Sequence, residues 1–95
     1  LAYVLAPNIR VNGIAPGAIE TPSTALSTQD KAMHEATVRW IAQGRRGKPD
    51  DIALAALYLA SSAGGFVSGK IIEVDGGMAA LPGMAIEARI ARPDD

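Results

Sequence analysis

The sequence predicts an α/β fold organised around a βαβ crossover, and three observations carry that reading. A short apolar strand, Ile9 to Ala15, runs into Pro16-Gly17; an apolar helix begins at Pro49; and a β-branched run, Lys70-Ile-Ile-Glu-Val74, stops at Asp75-Gly76-Gly77. Strand, helices and strand in that order make a right-handed crossover if both strands share a sheet. Two strands and their helices cannot bury so much apolar surface alone, so the architecture asks for strands beyond this sequence.

The elements follow in order. Leu1 to Ala6 is the tail of a helix closed by Pro7-Asn8, since proline cannot continue the helical ladder and disfavours helical geometry in the residue before it. Because the chain opens at Leu1 inside an apolar phrase, it reads as a fragment. Along the first strand Arg10 and Asn12 alternate with Ile9 and Val11, so one sheet face is polar or covered, and Arg10 is expected to be solvated or ion-paired. Pro16 lacks a ladder donor and Gly17 tolerates positive φ, so the strand is expected to end there. Thr21 to Ser27 is small and turn-prone, a loop.

Ser27-Thr-Gln-Asp30 has the form of a capping box, which places a helix over Lys31 to Ala42 with Met33, Ala36 and Trp40 on one side. Gly44-Arg-Arg-Gly47 ends it. The next helix, Pro49 to Ser61, has proline at its first position and Asp50 and Asp51 at the positive end of its dipole. Ile52 to Ala60 has no polar face, so that helix must be covered nearly all round. Ile71, Ile72 and Val74 suit a buried parallel strand. Residues 1–81 are expected to form the folded unit, and 82–95 a short docking segment or, by preference, a frayed extension.

Composition excludes several functions. At 48% hydrophobic and 20% charged, ninety-five residues make one globular unit rather than a disordered chain. Nine basic against ten acidic residues leave a net charge of -1, with no field to draw nucleic acid or an anionic membrane. Without cysteine there is no disulfide or thiolate chemistry, and with one histidine, His34, no metal site is expected. Neither a membrane-spanning run nor a secretion signal is visible, so the expected location is the cytoplasm.

Most candidate motifs have plainer readings. Gly64-Gly-Phe-Val-Ser-Gly-Lys70 begins like a phosphate-binding loop, but Ile71 stands where magnesium needs a hydroxyl and a strand follows instead of a helix. Arg45, Arg46 and Lys48 read as a solvated loop, Asp50 and Asp51 as capping residues, and His34 as a surface residue. Pro16 to Thr21 differs. In open α/β sheets ligands bind beyond the carboxyl ends of the strands. A turn there offers main-chain groups and the Thr21 hydroxyl, which match the acceptor and two donors of a carboxamide.

Asn8-Ile-Arg-Val-Asn-Gly-Ile-Ala-Pro-Gly-Ala-Ile-Glu-Thr21, Gly44-Arg-Arg-Gly-Lys-Pro-Asp-Asp-Ile-Ala53 and Val67-Ser-Gly-Lys-Ile-Ile-Glu-Val-Asp-Gly-Gly77 together resemble the C-terminal third of a classical short-chain dehydrogenase/reductase. Hydroxysteroid dehydrogenases and acyl-carrier-protein reductases share this ending, so it does not identify the substrate. The resemblance implies the C-terminal portion of a doubly wound Rossmann fold: its last two parallel strands, a lid helix and the last helix. It implies NAD or NADP as cofactor of the complete protein and a small alcohol or ketone as substrate. Pro16 and Gly17 would shape the nicotinamide side of the pocket, Ile19 would meet the carboxamide through its backbone and Thr21 through its hydroxyl. Leu26, Met33 and Trp40 would line the substrate lid, and Ile52 to Ala60 would pair subunits in a homo-oligomer. The family's catalytic tyrosine has a lysine four residues on, whereas Pro7 follows Tyr3 at that distance and Ser62 follows Tyr58. This chain therefore holds no catalytic residue of that kind and lacks the glycine-rich cofactor turn. Two other readings remain at this level: a non-catalytic module pairing with a full-length relative, and dehydration or epimerisation on the same fold.

Overall fold

The computed structural model describes residues 1–22 and 29–78. In chain order these form helix α1 (Ala2–Leu5), strand β1 (Gly13–Pro16), helix α2 (Lys31–Arg39), helix α3 (Pro49–Ala60), a single 3-10 turn (Ser62–Gly64) and strand β2 (Ile71–Val74). The strands pair in parallel, from Gly13 opposite Ile71 to Pro16 opposite Val74, so the connection between them is the expected crossover.

β1 starts later than Ile9 and carries through Pro16. Ahead of Gly13, side chains tie the chain to the segment approaching β2. The Asn12 amide donates to the Val67 carbonyl at 2.9 Å and its oxygen accepts from the Lys70 N–H at 3.1 Å, while the Val11 N–H donates to Ser68 Oγ at 3.3 Å. At the other end, the Gly13 and Gly17 N–H groups donate to the carbonyls of Lys70 and Val74. Donors facing β2 thus come from alternate residues, and the N–H that Pro16 lacks would have faced the opposite edge.

Arg10 is half-buried, and among the described residues it is not ion-paired. Its guanidinium reaches the carbonyls of Gly64 at 2.8 Å, Val67 at 3.1 Å and Ser61 at 3.5 Å, where α3 ends. These carbonyls lie just past the C-terminus of α3, whose partial negative charge a forked cation complements.

Asp30 is the N-cap of α2, its carboxylate accepting from the Met33 N–H at 3.0 Å. Ser27, expected to open a capping box, lies outside the described residues. The helix stops at Arg39 instead of Ala42 because the following backbone is engaged elsewhere. Ile41 forms an antiparallel bridge with Met78, and the Ala42 and Gln43 N–H groups donate to the carbonyls of Gly77 and Gly76.

α3 begins at Pro49 as expected, with the Asp51 carboxylate accepting from the Lys48 N–H at 2.8 Å. It packs against β1 and β2. Among the described residues the buried apolar side chains are Ile41, 1% exposed, and Leu59, 8%. Leu54 and Leu57, on the same helix, are 64% and 62% exposed, and Ile71 of β2 is 74% exposed. The cover that an all-apolar helix requires is supplied on one side only, and the burial expected for β2 is not reached at Ile71.

Candidate functional site at the strand ends

The carboxyl ends of β1 and β2 meet at Gly17 and Asp75. A Cβ at Gly17 would lie 2.7 Å from both Cα and Cβ of Asp75, a distance no side chain tolerates. Close approach, not positive φ, is what requires glycine here: the positive-φ glycines are Gly44, Gly69, Gly76 and Gly77. Beyond Gly17 the chain runs beside the segment that precedes α3. Ile19 and Gly47 form a parallel bridge, in which the Gly47 N–H donates to the Ala18 carbonyl at 2.9 Å and the Glu20 N–H to the Gly47 carbonyl at 2.8 Å. In such a bridge the N–H and C=O of Ile19 itself face away from Gly47. Gly47 is held closely too, since a Cβ there would fall 2.6 Å from Ile19 Cδ1.

These segments enclose a cavity of about 220 Å³ whose walls include Ala18, Ile19, Arg45, Asp51 and Asp75. Of the sequence-predicted site residues, Ile19 lines it; Pro16 and Gly17 form the strand end behind it, and half-buried Thr21 follows the bridge. Met33 and Trp40 are not among its lining residues. Trp40 faces a second cavity of about 350 Å³ with Ala32, Glu35, Ala36 and Arg39, while Met33 is half exposed on the same helix. Leu26 lies outside the described residues.

Two charged side chains here were not legible as structural parts. Arg45 pairs with Asp51 at 3.2 Å and also donates to the Arg46 carbonyl at 3.1 Å. Asp51 is held below the usual carboxylate range, first by the hydrogen bond from the Lys48 backbone and then by the one from Arg45. Arg46, expected in a solvated loop, is only 4% exposed, and its Nε donates to His34 Nδ1 at 3.1 Å. Neighbouring residues of an extended stretch point to opposite sides, so of two adjacent arginines beside a bridged Gly47, one turns inward. That alternation was the available signal.

Ile19 turns its main-chain N–H and C=O away from the bridge, and Thr21 carries a hydroxyl two residues on. Among the described residues no three His, Asp or Glu side chains gather to hold a metal ion, and no helix is long and apolar enough to cross a membrane.

Residues 1–79 match the family model described as enoyl-(acyl carrier protein) reductase. The 3β-hydroxysteroid dehydrogenase 1 of Eggerthella lenta is 48% identical over 75 residues, 79% of this chain and 29% of that protein. Among solved structures, a protein of Agrobacterium tumefaciens assigned as a 2-deoxy-D-gluconate 3-dehydrogenase, with NADP bound, superposes with a TM-score of 0.78 at 44% identity, over 84% of this chain and 33% of its own. A 4-hydroxyisoleucine dehydrogenase complexed with NADH superposes with a TM-score of 0.80 at 33% identity, over the same shares. The chain thus spans under a third of the length of the curated relatives it matches. Its described residues are part of a doubly wound Rossmann fold, as the order of its elements and its three sequence blocks implied.

Proposed function

The chain belongs to the short-chain dehydrogenase/reductase family, and from that premise we propose that it serves an NAD(P)-dependent oxidoreductase interconverting an alcohol and a ketone. Residues 1–81 are its share of the cofactor-binding domain. When bound, the nicotinamide supplies the hydride chemistry; what this chain contributes is position. Ile19 holds the carboxamide through its N–H and C=O, Thr21 through its hydroxyl, and Pro16 and Gly17 set the strand end against which the ring lies. Fixing the ring's orientation fixes the face from which hydride moves, which is where a binding group gains catalytic effect. The observation that carries this reading is the Ile19–Gly47 bridge, which turns the Ile19 main-chain groups outward at the end of a parallel strand.

The α2 helix and the loop before it act as the substrate lid, with Leu26, Met33 and Trp40 as apolar lining. The exposed side of Ile52 to Ala60 is a subunit surface, supported by Leu54 and Leu57 standing open on a well-formed helix. Relatives named for a hydroxysteroid, a deoxy sugar acid and an amino acid share this segment, so substrate choice rests on residues outside the shared blocks.

The test is a chimera in which residues 1–78 replace the matching segment of the steroid dehydrogenase relative. NADH and NADPH are titrated by fluorescence against the chimera and its Thr21→Ala form. Loss of one hydroxyl contact, about 1 kcal/mol, should weaken cofactor binding roughly fivefold. Unchanged affinity and turnover would show that Thr21 does not meet the cofactor.

A further inference from the structure

We propose that Asp51 is a positioning residue for the nicotinamide clamp: its carboxylate, carried on α3, holds the loop that bridges Ile19. The effect on the cofactor rests on the clamp reading given above; the hold on the bridge does not.

The turn after β1 is fixed by Gly47, whose N–H and C=O meet the Ala18 carbonyl and the Glu20 N–H. Gly47 itself lies in the loop between α2 and α3, and a bridge is no firmer than the segment that supplies it. Upstream that loop is anchored where Ala42 and Gln43 pair with Gly77 and Gly76, and Arg46 reaches His34 on α2. Downstream the anchor is one carboxylate. Asp51 Oδ2 accepts from the Lys48 N–H at 2.8 Å and from Arg45 Nη1 at 3.2 Å, so a single oxygen grips the chain on both sides of Gly47. A Cβ at Gly47 would meet Ile19 Cδ1 at 2.6 Å and that same oxygen at 3.5 Å. The glycine is in touch with both the residue that holds its loop and the residue it holds.

Capping alone does not account for this arrangement. To start α3, Asp51 needs only the Lys48 N–H. The second bond comes from Arg45, outside the helix, and acts on the loop. Arg45 is braced in turn, since it also donates to the carbonyl of Arg46, the residue before Gly47. Because α3 packs on β1 and β2, the strands whose ends form the corner, a group fixed to its first turn transmits their position to the bridge. Ile19, Arg45 and Asp51 accordingly share the walls of one cavity. Asp50 supplies the contrast: it stands at the same end of the same helix, exposed, with the same charge. The Arg45 and Asp51 side chains are 58% and 37% exposed, so the pair is a modest one and its removal should shift the bridge without unfolding the corner.

The test uses the chimera described above. Dissociation constants are measured for the reduced dinucleotide it accepts and for ADP-ribose, which lacks the nicotinamide, and amide exchange is followed without ligand. Asp51→Ala should speed exchange at Gly47 and Glu20 several-fold and weaken the reduced dinucleotide about threefold, the scale of a half-exposed ion pair, with ADP-ribose binding unchanged. Asp50→Ala removes a carboxylate from the same end of α3 and should alter none of the three. A merely structural Asp51 would leave the two ligands affected alike or not at all. Parental exchange at Gly47 and Glu20, or equal weakening of both ligands, therefore overturns the assignment. Faster exchange with unchanged dinucleotide affinity overturns the role toward the cofactor, and Thr21→Ala then tells whether the clamp has failed with it: weaker binding in that variant leaves the clamp standing. Should Asp51→Ala lose protection over Leu54 to Ala60, α3 has frayed. Arg45→Met, which leaves the Lys48 cap in place, then decides by the same readouts.

Discussion

The strand-end corner and the α3 helix differ in how far this chain completes them. At the corner the described residues close on one another: β1 abuts Asp75 at Gly17, Ile19 bridges to Gly47, and the turn after β2 is held by Gln43 and by Asp75 itself, which accepts the Gly77 N–H at 2.9 Å. α3 is as regular as any element present, with Pro49 at its start and Arg10 at its end, yet Leu54 and Leu57 stand open. Local signals are enough to form a helix; only partners can finish its surface. The corner is closed by this chain's own residues, and the outer side of α3 is not.

Substitutions can break that contrast, and the largest effect should come from the corner. Gly17→Ala pushes a methyl into the backbone of Asp75, which cannot swing aside as a side-chain end would. About 3 kcal/mol of destabilisation is expected in the chimera by urea unfolding, together with loss of cofactor binding. Arg10→Met keeps the apolar stem but removes the cation from three carbonyls that follow α3. Roughly 2 kcal/mol should be lost in the same assay, with binding retained once the protein is folded.

On the open side the pattern should reverse. Leu54→Ser with Leu57→Ser should change unfolding of the separated subunit by no more than about 0.5 kcal/mol, while sedimentation shows the assembled chimera falling apart. Stability lost without any change in assembly would mean these leucines serve the fold and not an interface. The smallest effect concerns pH. Asp51 titrates below the ordinary carboxylate range in the folded state, so its contribution is present at neutral pH and is lost only as acid protonates it below about pH 4. Asp51→Asn should lower the unfolding temperature slightly at neutral pH, flatten that acid-sensitive part of the profile, and leave the acid end little changed.

Much of this was readable residue by residue. Pro49 with Asp51 marks a helix start by local chemistry alone, and Asp75-Gly76-Gly77 marks the end of β2 in the same way. The features that escaped depend on residues far away in sequence. Asn12 answers to Val67 and Lys70, and Arg10 to the end of α3, more than fifty positions on; no window around residue 10 contains that information. α2 stops early because Gln43 pairs with Gly76. Arg46 looked solvated because a short basic loop usually is, and only the bridge at Gly47 turns it inward. Within the corner, Ile19 was legible as part of the strand-end turn from its place after Pro16-Gly17, whereas Arg45 and Asp51 enter the wall through the fold of a loop whose sequence names only its ends.

The most direct test of the account is amide exchange at Ile19 in the chimera, measured with the reduced dinucleotide it accepts and, separately, with ADP-ribose, which lacks the nicotinamide. Protection of the Ile19 N–H by the full cofactor and not by ADP-ribose is the result predicted for a main-chain clamp on the carboxamide. Equal exchange in the two complexes would contradict it, and the strand-end corner would then be a structural joint rather than a binding site.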